Sequence, residues 1–215
     1  MSIQRPFSLL VAPFVLVALL FAGSAQAFPD FDSLNGKFSF SNFSVVGSVA
    51  EAENISIVAT EDGFDIIMND GAMRVEAGDA RDLAIQYDVT ANAGPIVSAA
   101  LSFEGQAVGD GALATVSEDY FSQPSDLLIP PGLTVFAVEG MADYFDSQNV
   151  GEQMMMSVDK DILVTAIFDG RVAEITRVSQ SFATAVPEPS AGLLFAAGAG
   201  IVGTSLRRRS RAHSC

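Results

Sequence analysis

Leu83-Ala84-Ile85-Gln86-Tyr87-Asp88-Val89-Thr90 alternates apolar and polar residues from one position to the next. A strand with one buried face has this period of two, because successive side chains point to opposite sides of a sheet. The same alternation appears at Phe38 and Phe40, and it resumes at Phe43 after a slip of one residue. Both segments are therefore predicted to be strands that face a common core.

Turn dipeptides with glycine separate several of the apolar runs. Glu61-Asp62-Gly63 stands between residues 55–60 and 64–68, and Asp169-Gly170 stands between residues 162–168 and 171–178. Glycine tolerates the positive φ that tight hairpin turns require. We therefore predict two β-hairpins here, of which the one around Asp169-Gly170 has the clearest signal. A third turn, Asn69-Asp70-Gly71, precedes a further short strand at residues 72–75.

The remaining short apolar runs predict four more strands, with a proline-containing loop at residues 118–132 and a short helix around residues 140–144. Nine or ten strands in one chain segment indicate an all-β fold, a single two-sheet sandwich or jelly-roll-like domain. The two strands described first span residues 37–46 and 83–90, and the four further predicted strands are residues 95–103, 113–117, 133–138 and 153–158.

The N-terminal residues have the pattern of a cleavable secretion signal. Arg5 precedes an uncharged apolar stretch at residues 6–22, and small residues then lead to Ala25-Gln26-Ala27. This A-x-A site predicts cleavage by signal peptidase after Ala27 and a signal peptide at residues 1–27. A membrane-spanning helix fits less well, because the apolar stretch is short for a bilayer and contains a proline.

The C-terminal residues combine three features in a fixed order. Pro187-Glu188-Pro189 is followed by an uncharged stretch at residues 191–206 and then by a basic tail at residues 207–215. As a helix the uncharged stretch would rise about 24 Å, slightly less than the ~30 Å of bilayer hydrocarbon. By the positive-inside rule the arginines stay in the cytoplasm and residues 28–186 lie outside. The basic anchor residues are Arg207, Arg208, Arg209 and Arg211.

This tail resembles the PEP-CTERM sorting signal of Gram-negative bacteria, which has the same three parts. The resemblance implies that an exosortase, a membrane-embedded processing enzyme, recognises Pro187-Glu188-Pro189 and passes the chain to the cell surface or the extracellular matrix. It also implies a host that makes extracellular polysaccharide, and therefore a biofilm setting. The expected partners are signal peptidase, an exosortase-type enzyme, the membrane through residues 191–206 and extracellular polysaccharide.

The composition of residues 28–186 excludes several classes of function. This segment has 6 basic and 25 acidic side chains, a net charge of −19, so we predict that it does not bind nucleic acid. It contains no Cys, His or Trp, because the only Cys and His of the chain are Cys215 and His213. Disulfides, Ser-His-Asp and Cys-His catalysis and histidine-ligated zinc are therefore excluded there.

Acidic pairs are the remaining candidates for chemistry. Calcium binds clustered carboxylates, so calcium is the one cofactor left open, although no stretch matches an EF-hand loop. A glycosidase needs only two carboxylates, but the segment has few tyrosines and no tryptophan to stack sugars. We assign no catalytic, cofactor or metal residue. The predicted function is a structural or interaction protein, with a calcium-assisted carbohydrate-binding module as the alternative and a glycosidase as a weaker one. The pairs are Asp30 with Asp32, Asp62 with Asp65, Asp79 with Asp82, Glu118 with Asp119, Asp143 with Asp146, and Asp159 with Asp161.

Overall fold

Strands make up most of residues 24–48 and 54–185, which are the residues that the computed structural model describes. A short 3-10 turn at Asn69–Gly71 is the one helical element within these ranges. In chain order the strands are β1 (Ser24–Ala27), β2 (Phe31–Asp32), β3 (Phe38–Gly47), β4 (Ile55–Ala59), β5 (Gly63–Met68), β6 (Arg74–Glu76), β7 (Asp79–Ala91), β8 (Ile96–Val108), β9 (Ala112–Ser122), β10 (Leu127–Val138), β11 (Met141–Asp143), β12 (Phe145–Gln153), β13 (Met155–Ala166) and β14 (Val172–Thr184).

The strands form two antiparallel sheets that enclose one core. The large sheet has the order β1-β3-β7-β13-β9-β10-β11, with β2 beside β3. The small sheet has the order β12-β8-β14-β5-β4, with β6 paired to one end of β14. The chain passes repeatedly from one sheet to the other, for example from β7 to β8 and from β8 to β9. The prediction of an all-β two-sheet sandwich is confirmed.

The alternation in β7 predicts its buried face correctly. Leu83, Ile85, Tyr87 and Val89 are all at most 1% exposed, and they point between the two sheets. The strand begins four residues before the predicted start and ends one residue after the predicted end. The small sheet covers this face, and Phe64 of β5 lies against Tyr87 at a ring-centroid distance of 5.1 Å.

The slip between Phe40 and Phe43 is a β-bulge in β3. Its register with β7 shifts between Ser41 and Ser44, and Asn42 within the shift has a φ of 55°. The extra residue returns the next phenylalanine to the inner face, so both rings are buried. There Phe43 stacks on Tyr87 at a centroid distance of 4.9 Å.

The two predicted hairpins have different outcomes. β4 and β5 pair as a hairpin around residues 60–62, as predicted. The prediction of a hairpin at Asp169-Gly170 is wrong, because β13 lies in the large sheet and β14 lies in the small sheet. Gly170 does adopt the positive φ of a tight turn, at 72°. However, β7 and β9 occupy both edges of β13, so no edge is free for β14.

Three further predictions differ from the structure. The strand predicted at residues 72–75 exists as β6, but it spans Arg74–Glu76, and it pairs with β14. Most of the predicted loop at residues 118–132 belongs to β9 and β10. Pro130 and Pro131 lie where the pairing register of β9 with β10 shifts. The predicted helix near residues 140–144 is replaced by β11, because a turn at Glu139-Gly140 returns the chain along β10.

The predicted sorting and anchoring segments lie mostly outside the described residues. This holds for residues 1–23 and for residues 186–215, which include the predicted membrane helix and the basic tail. Within residues 24–48 and 54–185 there is no helix of the length and apolarity that a membrane crossing needs. β1 contains Ala25 and Ala27 and pairs with residues 44–47 of β3. Cleavage after Ala27 remains a prediction, and it would remove this strand from the edge of the sheet.

Candidate functional site

The outer face of the large sheet carries a polar depression, which we call the acidic groove. It has a volume of about 380 Å³. The pairing register of the strands determines which side chains meet in the groove, because outward residues of β9, β13 and β7 form rows across the sheet. One row is Asp119, Asp159 and Gln86, and the next is Phe121, Ser157 and Asp88. The residues that line the groove are Asn42, Gln86, Tyr87, Asp88, Phe121, Asp126, Ser157, Val158 and Asp159.

A chain of hydrogen bonds fixes the polar side chains on one side of the acidic groove. Asn42 Nδ2 donates to Asp88 Oδ2 at 2.7 Å, and Ser157 Oγ donates to Asp88 Oδ1 at 2.5 Å. Gln123 Nε2 in turn donates to Ser157 Oγ at 2.9 Å. The bulge in β3 allows the hydrogen bond between Asn42 and Asp88, because it turns Asn42 toward β7. The groove therefore presents carboxylate, carboxamide and hydroxyl groups in a fixed arrangement.

Like charges face each other on the other side of the acidic groove. Asp159 lies directly opposite Asp119 across β13 and β9. Partial desolvation raises the pKa of Asp159 above its ordinary value, and the negative charges of Asp119 and Asp126 raise it further, while a hydrogen bond from Gln86 opposes the shift. Directly opposed like charges destabilise a sheet. The groove therefore favours a cation or a donor-rich ligand that would offset this repulsion.

A second depression of about 210 Å³ continues the acidic groove along the same sheet face. Asp161 lies there, opposite Ser117 on β9 and Ala84 on β7. Desolvation raises the pKa of Asp161, with a smaller contribution from the charge of Asp82. The negative potential therefore extends over several strands rather than belonging to one loop.

Several carboxylates of the acidic pairs noted in the sequence have other polar partners in the structure. Asp62 accepts hydrogen bonds from Asn35 and Lys37, and Asp65 lies 3.8 Å from Arg177 on the outer face of the small sheet. Asp146 Oδ2 accepts from the backbone N–H of Thr134. Within residues 24–48 and 54–185 no three Asp, Glu, His or Cys side chains are placed to hold one metal ion. Asp159 and Asp161 both line the acidic groove or its continuation, together with Asp119, whereas the side chain of Glu118 is buried.

A polar cluster lies in the core between the sheets, where sequence reasoning placed only apolar residues. It consists of Glu118, Tyr120, Lys160 and Gln180, each at most 2% exposed. Lys160 Nζ contacts Glu118 Oε1, and it donates to Gln180 Oε1 at 3.0 Å. Tyr120 Oη donates to Glu118 Oε2. Burial lowers the pKa of Lys160 well below its ordinary value and raises the pKa of Tyr120.

Strand periodicity contains the signal for this cluster. Met156, Val158, Ile162 and Val164 are the inward residues of β13, and Lys160 occupies the same face in the middle of the run. An unbroken alternation therefore places a lysine in the core. The two strands predicted here end at residue 158 and begin again at residue 162, so Lys160 belonged to neither and its burial was missed.

The last strand brings the chain out of the sandwich beside the predicted sorting motif. β14 ends at Thr184, and the backbone N–H of Ala185 donates to the carbonyl of Pro95 at 2.9 Å. Pro187, Glu188 and Pro189 follow almost at once, outside the described residues. The sandwich therefore ends immediately before the Pro-Glu-Pro sequence.

The solved structures that are similar to this chain include the following three. TmCBM61 in complex with beta-1,4-galactotriose is 10% identical, with 65% of this chain and 88% of that chain covered and a TM-score of 0.33. The enzymatically active domain of bacteriophage CBA120 tailspike protein 4 is 10% identical, with coverages of 68% and 19% and a TM-score of 0.30. A structure of carbohydrate-binding modules from the beta-sandwich super family is 11% identical, with coverages of 67% and 57% and a TM-score of 0.25. Similarities of this size carry no argument about ligand or activity.

The comparison with protein families concerns the other end of the chain. No curated protein matches the sequence. Residues 185–209, however, match the PEP-CTERM protein-sorting motif, which implies export and a membrane-anchored precursor. The match includes Pro187, Glu188 and Pro189 as well as the first arginines of the basic tail. The chain carries a PEP-CTERM protein-sorting motif at residues 185–209.

Proposed function

We propose that this protein is a structural or interaction component of the cell surface or the extracellular matrix, delivered there through its C-terminal sorting signal. The observation that carries the proposal is the PEP-CTERM motif at residues 185–209. The proposed organisation is a signal peptide at residues 1–27, an exported domain at 28–186 and the sorting signal at 187–215. The proposed processing partners are signal peptidase, which cuts after Ala27, and an exosortase-type enzyme.

The position of the sandwich relative to the motif supports this organisation. Residues 186–190 separate the last described residue from the uncharged stretch at 191–206. Five extended residues span at most about 18 Å, so a folded domain is held close to the membrane while the chain is anchored. Pro187 and Pro189 each lack a backbone N–H and have a restricted φ, and these are properties that a processing enzyme can recognise. The protein acts there without catalysing a reaction, and its role is contact with matrix components such as polysaccharide.

The mass of the mature protein tests the sorting proposal. Intact masses would be measured for protein from surface and membrane fractions of the native host. We expect a chain that begins at Phe28 and ends near Pro187, and a variant with alanine at Pro187, Glu188 and Pro189 should stay in the membrane fraction. A matched control replaces Pro130 and Pro131 with alanine, away from the motif. A wild-type chain that still ends at Cys215 would contradict processing at the motif.

The acidic groove supports a second candidate, a calcium-assisted carbohydrate-binding module. Its fixed carboxylate, carboxamide and hydroxyl groups suit a hydroxyl-rich ligand, and Phe121 supplies an aromatic ring beside them. Calcium would be held by oxygens of Asp159 and Asp119, which lie opposite each other.

Thermal unfolding with and without calcium tests this second candidate. A ligand that binds only the folded state stabilises it by about 2.7 kcal/mol at 100 times its Kd. The midpoint of the wild type should rise, and Asp159→Asn should lose this rise. Asp169→Asn, in an exposed turn, should keep it. An equal rise in all three proteins would place calcium elsewhere, and no rise in any would exclude calcium binding.

A further inference from the structure

The buried cluster of Glu118, Tyr120, Lys160 and Gln180 places an amine, a carboxamide and a carboxyl group in contact. We propose that Lys160 and Gln180 form an amide crosslink that joins the two sheets, with Glu118 carrying the protons of the reaction. Lys160 lies on β13 of the large sheet, and Gln180 lies on β14 of the small sheet. The product is a covalent bond through the centre of the sandwich.

Lys160 has the properties of a nucleophile in this setting. Its side chain is completely buried, as is that of Glu118. Burial lowers the pKa of Lys160 well below its ordinary value, because desolvation disfavours the ammonium form, and this favours the neutral amine that has a free lone pair. A neutral amine has two N–H groups, whereas an ammonium has three. Within the described part of the chain Nζ has two hydrogen-bond partners, Glu118 Oε1 and Gln180 Oε1.

Gln180 presents the electrophile at close range. Its Oε1 accepts from Lys160 Nζ at 3.0 Å, and the carboxamide carbon lies one C=O bond, about 1.2 Å, beyond that oxygen. The terminal torsion of a glutamine side chain is soft, so a rotation turns the face of this carbon toward the amine. Gln180 Nε2 lies 3.4 Å from Tyr120 Oη, and that hydroxyl donates to Glu118. The leaving nitrogen therefore starts beside the proton path.

The reaction balances without any further reactant. The lone pair of Nζ attacks the carboxamide carbon of Gln180, and a new C–N bond forms. Glu118 takes one proton from the attacking nitrogen and returns one to the leaving nitrogen. The original bond from this carbon to Nε2 then breaks and releases ammonia. Lys160 and Gln180 remain joined by a secondary amide, and Glu118 ends in the protonation state in which it began.

The contacts favour Gln180 over Glu118 as the acceptor of the amine. Glu118 is the carboxyl group that contacts Nζ, so an attack on Glu118 itself would leave the amine without a carboxyl proton carrier among its contacts in the described residues. The crosslink to Gln180 also closes a segment of 20 residues between the sheets. Residues 28–186 have no cysteine, so an amide is a covalent staple that remains available to this exported domain.

A peptide map of the full-length folded protein tests the proposal. The protein would be denatured, digested with a protease of broad specificity and analysed by tandem mass spectrometry. We expect the peptides that contain Lys160 and Gln180 to be recovered as one branched species, lighter than their sum by one ammonia. Separate peptides with an unmodified Lys160 and an unmodified Gln180 would overturn the proposal. A Lys160 peptide joined to Glu118 with loss of water would overturn the assignment of Gln180.

Variants separate the role of Glu118 from that of the reacting pair. Glu118→Gln keeps the shape of the side chain but cannot carry the protons, so Lys160 and Gln180 should remain free in its folded form. A crosslink of normal yield in this variant would overturn the assigned role of Glu118. Lys37→Arg, at an exposed lysine, is the matched control and should keep the crosslink. The wild-type map decides the proposal by itself if a variant fails to fold.

Discussion

Replacing Asp159 with asparagine should stabilise the domain at neutral pH, because it removes one of two like charges that face each other across β9 and β13. Directly opposed Cβ atoms lie about 5 Å apart, so the two carboxylates are separated by on the order of 6 Å. At that distance Coulomb's law gives about 0.7 kcal/mol of repulsion in water. Asp159 is exposed, so the value for water, which is the lower limit of the repulsion, applies to this pair. A gain of about 0.7 kcal/mol corresponds to roughly 2 °C in Tm.

The gain should depend on pH in a defined direction. Partial desolvation and nearby carboxylates raise the pKa of Asp159 in the folded state, so the folded protein binds its proton more readily than the unfolded chain does. The cost of the charge is therefore present above the raised pKa and is lost as the pH falls through it. The free energy of unfolding of Asp159→Asn should exceed that of the wild type at neutral pH, and the difference should vanish toward about pH 4.

Urea unfolding between acid and neutral pH at low salt measures this difference, and a double-mutant cycle with Asp119→Asn isolates the pair. Asn keeps the oxygen to which Gln86 donates, so the substitution changes charge with little change of shape. The control is Asp169→Asn, in the exposed turn before β14, which should change little. A coupling energy of zero between the two positions, or a loss of stability at neutral pH, would refute the reasoning.

Three further predictions concern the core and the backbone. Gly63→Ala should lose about 1–3 kcal/mol of stability in denaturant unfolding, because the added Cβ meets the backbone carbonyl of Gln180. Tyr87→Phe should gain on the order of 1 kcal/mol, since the buried Tyr87 hydroxyl has no hydrogen-bond partner in the described residues; a clear loss would show that it has one. Asn42→Ala should be about 1 kcal/mol less stable than Asn42→Gly in thermal unfolding, because both lose the hydrogen bond to the groove but only alanine is strained at a φ of 55°. Equal stability would mean that the bulge relaxes.

Sequence patterns identified the parts of the fold that depend on local alternation. The inward face of β7 followed from period two alone, and the displaced Phe43 marked the position of the bulge in β3. The β4–β5 hairpin followed from its turn and its two apolar runs. In each case burial and pairing depend on residues that are close together in the chain.

The wrong predictions share a different cause, because a turn signal does not specify which strand the chain meets next. Asp169-Gly170 is a tight turn, yet it leads from one sheet to the other, since both edges of β13 are already occupied. Pro130 and Pro131 were assigned to a loop because they cannot donate to a ladder, but a register shift accommodates them within β10. The acidic groove could not be predicted either. Asp119 and Asp159 lie far apart in the sequence, and only the pairing of β9 with β13 places them opposite each other.

The place of β14 in the small sheet determines how the domain would respond to mechanical force. The chain leaves the sandwich from the end of this strand, which is hydrogen-bonded to β8 along its length and to β5 over residues 177–181. Antiparallel hydrogen bonds lie perpendicular to the strands, so a pull along β14 loads many of them at once in shear rather than opening them one by one. A force on the domain while its C-terminal side is held would therefore act on the hydrogen bonds of β14 to both neighbouring strands together.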